Sequence, residues 1–244
     1  MTNSTPSTTL STTLSTTLSS TAPTSPVTST TGPTTTATGQ LTTTSASTST
    51  TTELPGEPID LGPRAGSRLA VMGVAFDDVL NVRIAPGANQ TIVHELDPLA
   101  DDIIALGHNR SLPQSIWIQV EVDGITGWVS GAFVAHPGPV DDATAQITQH
   151  MGGLPQAETM LDLGQAIAEA MAYDDPPSRV TVTQAPTVGD LGEVIFDVVG
   201  VGDDAVAGFR LHIFGAPTDG GFYLDTVETF NFCSRGVDPD GFCV

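Results

Sequence analysis

The sequence contains no lysine, and its first 52 residues contain no Asp, Glu, Lys, Arg or His. Thirty-five of those 52 are Ser or Thr. Isolated leucines among hydroxyl side chains that compete for backbone hydrogen bonds bury no core, so an extended, disordered stalk or linker is expected over residues 1–53. Aromatic residues make up only 5% of the chain, and no apolar run approaches the length of a membrane span. The opening "MTNSTPSTTL" has neither the basic start nor the apolar stretch of a secretory signal.

Positive charge is also scarce. Twenty-eight carboxylates face seven arginines, which gives a formal net charge of -21, all of it beyond residue 52. Such a surface repels polyanions, so nucleic acids and anionic membranes are excluded as expected partners. Cationic molecules, divalent ions, neutral glycans and peptides stay open, as does a charge that serves only solubility.

The familiar catalytic signatures are missing. There is no Gly-rich phosphate loop, no G-x-S-x-G elbow, no H-E-x-x-H and no paired C-x-x-C. No enzymatic activity and no cofactor are therefore expected. Thiol chemistry would need a free cysteine and an approach by His212. The acidic pairs Asp203 with Asp204 and Asp238 with Asp240 lie in turns, where solvated carboxylates are the simpler reading and calcium ligation the alternative.

The two cysteines, Cys233 and Cys243, lie ten positions apart with Gly236, Pro239 and Gly241 between them. Three states are open to them: a disulfide, a free pair, or half of a metal site that no nearby histidine completes. The disulfide is the favoured state and no metal site is expected. With the Ser/Thr-rich stalk, it points to a secreted or cell-surface location, although the export signal is absent from the sequence.

What is there divides at Gly- and Pro-rich stretches. Residues 54–68 read as a linker, and "HPGPVDD" marks a second boundary at 136–142. Between them, residues 69–136 hold short β-branched runs separated by turns, the pattern of a small all-β barrel. Residues 141–244 begin with helical periodicity, Met160, Leu163, Ile167 and Met171 forming one apolar stripe, and continue as strands. In "FRLHIF", Phe209, Leu211 and Ile213 alternate with Arg210, His212 and Phe214 as in a half-buried strand. That half is expected to be an acidic α+β domain, with helices packed on a short antiparallel sheet.

Two stretches carry a family resemblance. "LNVRIAPG" at 80–87 and "IWIQVEVDGITGWVSGAFV" at 116–134 together resemble the bacterial SH3-like (SH3b) family, through Asn81, Val82, Arg83, Pro86 and Gly87, then Trp117, Gly124, Gly127, Trp128 and Val129. The resemblance implies a bent five- or six-stranded barrel in a protein of the actinobacterial cell envelope. The C-terminal "VGDDAVAGFRLHIFG" and "FCSRGVDPDGFCV" resemble a segment of no assigned activity that follows such domains. Trp128 has two readings, core residue or wall of a ligand groove.

Taken together, these features lead to a non-catalytic binding module of a secreted or surface protein. A shallow groove on the barrel, with Asn81, Arg83, Asn89, Trp117 and Trp128 as ligand-binding residues, would recognise a cell-wall peptide or glycan or an envelope protein. The alternatives are a structural spacer or display protein without a small ligand, and a cell-wall hydrolase whose C-terminal domain is catalytic.

Overall fold

A computed structural model describes residues 53–244. The stalk expected over residues 1–53 lies, but for its last residue, outside the described residues. These described residues cluster as one compact unit.

The fold is one large sheet. Its strands are β1 (Glu57–Ile59), β2 (Arg68–Val71), β3 (Leu80–Arg83), β4 (Ile92–Leu96), β5 (Ile103–Leu112), β6 (Ser115–Val122), β7 (Ile125–Ser130) and β8 (Val134–Pro137). These are followed by β9 (Asp141–Asp142), β10 (Gln156–Ala157), β11 (Arg179–Val188), β12 (Gly192–Val199), β13 (Val206–Thr218) and β14 (Gly221–Cys233). Helices α1 (Thr144–His150) and α2 (Met160–Ala170) are the two α-helices among the described residues. The strand order is β11-β12-β13-β14-β8-β2-β5-β6-β7-β3-β4, with β1 on β5 and β9 and β10 on β14.

This arrangement corrects the expected fold class. β11 and β4 end the path without pairing to each other, so the sheet is open, and no SH3-like barrel closes over residues 69–136. The resemblance to the SH3b family, and with it the envelope-barrel identity, is therefore not carried by the fold. Nor is there a barrel half beside an independent α+β sheet: β8 joins the two, pairing Ala135 with Ala70 on β2 and His136 with Cys233 on β14.

The physical reason lies in β2. Successive side chains of a strand point to opposite faces. Leu69 and Val71 enter a core with Val82, Ile103, Val120 and Val129, while Ala70 and Met72 enter a second cluster with Ala135 and Phe232. Apolar on both faces, β2 sits inside a continuous sheet and needs cover on the side that a small barrel would leave to water.

The third and largest cluster lies under α2. Thr159 caps the helix by accepting a hydrogen bond from Asp162 N. Met160, Leu163 and Ile167 then press onto Val194, Phe196, Leu211 and Ile213 of the sheet. Pro155 lies before β10, and the helix begins five residues after it. Gly164 permits this close packing, since a Cβ there would meet Phe196 Cε2 at 2.5 Å and Val194 Cγ1 at 2.6 Å.

Candidate functional site

The residues singled out in sequence separate into three groups. Asn81, Arg83 and Trp117 line one cavity of about 510 Å³ with Asp78, Phe133 and Thr181. Asn89 and Trp128 do not line it. Trp128 is 3% exposed and Trp117 5%, and the Trp117 indole Nε1 donates to Ser115 Oγ at 3.0 Å. Arg83 donates to Gln90 O, holding the turn between β3 and β4. With the barrel gone, the barrel groove proposed to read cell-wall components is gone with it, and the cell-wall-binding function falls on that finding.

Cys233 and Cys243 are joined by a disulfide, their Cα atoms 5.0 Å apart. The bond ties the end of β14 to the loop that follows. Cys233 is fully buried. In the loop, Asp238 Oδ1 accepts from Asp240 N and Phe242 N, so this acidic pair serves the turn itself. Asp203 does likewise, accepting from Ala205 N and Val206 N, and these bonds hold its carboxyl below the usual carboxylate range.

His212 faces carboxylates and no thiol. Its Nε2 lies 2.7 Å from Glu193 Oε1, and its Nδ1 lies 3.8 Å from Glu228 Oε2. Gln184 donates to Glu193 as well and, more than His212, lowers that carboxyl's pKa. Among the described residues, no group of three or more His, Cys, Asp or Glu side chains is placed to hold a metal ion. No helix among them is long and apolar enough to cross a membrane.

A larger cavity, about 710 Å³, opens elsewhere, where β8 meets the segments before β2 and after β14. Arg64 comes from the first segment, Arg68 from the start of β2, His136 from β8, and Arg235 from the disulfide loop. Three of the chain's seven arginines thus share one cleft in a protein of net charge -21. An arginine carries five N–H donors in a rigid fork. Arg68 uses Nε and Nη2 on Asp101, and its Nε also lies 3.4 Å from Asp102. Arg235 uses Nε on Val244 O and both Nη atoms on one oxygen of Asp204. Arg64 makes no ion pair among the described residues.

His136 completes the cleft. Desolvation lowers its pKa from the ordinary 6.5, opposed by a hydrogen bond to the backbone of Arg68. Sequence reasoning passed over all four residues. The signal was nevertheless present: with only seven arginines to place, two fall four residues apart in the Gly- and Pro-rich "GPRAGSR", and another stands two residues after Cys233.

Comparison with protein-family models, curated proteins and solved structures finds no match for the chain.

Proposed function

We propose that the protein acts outside the cytoplasm and that its arginine-lined cleft takes up a small molecule carrying one or two oxyanion groups. The observation that carries this reading is the gathering of Arg64, Arg68 and Arg235 around one cavity of about 710 Å³. Guanidinium groups do not exchange protons at physiological pH, so they bind and orient an oxyanion without acting as acid or base. The extracytoplasmic location rests on the Cys233–Cys243 disulfide, a bond that persists in oxidising compartments.

The acidic remainder of the molecule sets the size of the ligand. At physiological ionic strength, fields between exposed charges fade over about 8 Å. A small anion inside the cleft therefore responds to the nearby arginines, whereas a polyanion extending beyond it also meets the carboxylate-rich surface.

Calorimetric titration of the full chain with sulfate and with inorganic phosphate tests the proposal. Saturable binding is expected, weakened about tenfold or more in Arg64→Ala or Arg235→Ala, as befits loss of a charge-assisted hydrogen bond. Arg83→Gln, in the other cavity, is expected to bind as the unaltered protein does. Absence of saturable binding, or equal affinity in all the variants, would sink the reading.

A further inference from the structure

We infer that the Cys233–Cys243 disulfide is a redox gate on the arginine cleft: oxidised, it holds the cleft wall in place, and reduced, it lets that wall go. The inference rests on the oxyanion-binding reading above and adds its regulation.

The loop supplies much of the cavity. Ser234, Arg235, Gly236, Val237 and Val244 line the cleft, and all five follow Cys233. Arg235 is the arginine they contribute, and its Nε is held by Val244 O at the far end of the loop. Whatever fixes residues 234–244 therefore fixes both the shape of the wall and the direction of that guanidinium.

Little besides the disulfide ties the distal part of the loop to the body. Its larger apolar side chains are exposed, Phe242 by 69%, Val244 by 46% and Val237 by 37%, so core burial does not anchor it. Its hydrogen bonds from Asp238 N to Phe242 O and from Val244 N to Gly236 O, and the bridge between Val237 and Cys243, all lie within the loop. Ser234 N bonds Ala205 O and Arg235 pairs with Asp204, but these hold only its first two residues. Gly241 also lies close to Pro139. In contrast, β14 itself is paired along its length with β13 and at its end with β8, so the sheet does not depend on the bond.

The two sulfurs differ in access. Cys233 is fully buried, whereas Cys243 is partly exposed. A dithiol reductant is thus directed to Cys243. One of its thiolates attacks Cys243 Sγ, the Cys233–Cys243 bond breaks, and Cys233 leaves as a thiolate that takes up a proton. The second thiol of the reductant then displaces Cys243 as a thiol. The protein gains two electrons and two protons, and the reductant becomes a disulfide.

The test is sulfate titration of the full chain in three forms: oxidised, reduced with dithiothreitol, and Cys243→Ser, each with a thermal melt. The expected result is a cooperative melt in all three, with affinity at least tenfold weaker in the second and third forms. Equal affinity in all three overturns the gate and leaves the binding site standing. No binding even in the oxidised form overturns the site and the gate together. Loss of the cooperative melt on reduction also overturns the gate, because a gate requires a sheet that survives its opening.

Discussion

Arg210 and Asp197 face each other on adjacent strands and form a buried two-pronged ion pair, Nε to Oδ1 at 2.7 Å and Nη2 to Oδ2 at 2.9 Å. The pair reaches well beyond its own strands. Arg210 Nη2 also donates to Val71 O and Pro98 O, and Asp197 Oδ2 accepts from Gly73 N. The rings of Phe230 and Phe232 lie 5.7 and 5.3 Å from the guanidinium carbon. Burial pushes the Asp197 carboxyl up from its ordinary value, and the bonds from Arg210 and Gly73 oppose that push. One ion pair thereby fastens β2 and the turn after β4 to the C-terminal strands.

Arg210→Ala is therefore expected to cost about 3–5 kcal/mol, because Asp197 and two backbone carbonyls lose their donor inside the protein. The double replacement Arg210→Met with Asp197→Leu removes both charges and is expected to be less destabilising than the single change. Chemical denaturation of both variants checks this, and a double variant weaker than Arg210→Ala contradicts it.

Gly164 is the second place where packing decides the outcome. On an exposed helix face, glycine to alanine stabilises by about 1 kcal/mol. Here the new Cβ would run into the buried ring of Phe196 and the methyl of Val194. Gly164→Ala is expected instead to destabilise by about 1–3 kcal/mol, read as a lowered denaturation midpoint. A raised midpoint would show that α2 can lift off the sheet at little cost.

These two residues show what the sequence made legible and what it hid. Local periodicity was readable: the α2 stripe through Met160, Leu163 and Ile167 is buried, and "FRLHIF" lies within a strand. Period-two alternation assigned Arg210 to the face opposite Leu211, and it does lie there, but that face is covered by Val71, Pro98 and two phenylalanines. Alternation tells which side chains share a face and says nothing about what will cover it. The same gap misled the barrel reading. "LNVRI" and "GWVSG" identify strands, whereas closure depends on which strands lie at the ends of the sheet, a long-range matter settled by β8 meeting β14. The arginine cleft was hidden for the same reason, since its three arginines lie up to 171 positions apart, Arg64 to Arg235.

Trp128 answers to packing. It stands opposite Arg83 on β3 and Gln119 on β6, and it is 3% exposed. Gly127 before it leaves no room for a side chain, since a Cβ would meet Val82 Cγ1 at 2.5 Å. Trp128→Ala is expected to cost about 3–5 kcal/mol and to leave sulfate affinity of the folded fraction unchanged. A variant that melts as the unaltered protein does would place the indole outside the core.

His136 couples the cleft to pH. Because desolvation lowers its pKa below 6.5 in the folded protein, the unfolded chain binds more protons in the range just under that value. Stability from this group is thus fully present above about pH 6.5 and is lost as pH falls through the folded pKa. Asp142, Asp203 and Glu193 are held below their ordinary values by hydrogen bonds from Thr144, Val206 N and Gln184, and so titrate at lower pH than this window. An oxyanion seated beside His136 favours the imidazolium, which desolvation otherwise opposes. Two trends of opposite sign are therefore expected as pH falls below about 6.5: the empty protein loses stability while sulfate affinity rises. Thermal melts and titrations across this range, repeated with His136→Gln, provide the check. Glutamine keeps a polar donor without a titrating proton, so both slopes should flatten; slopes that survive the substitution would assign the pH response to another group.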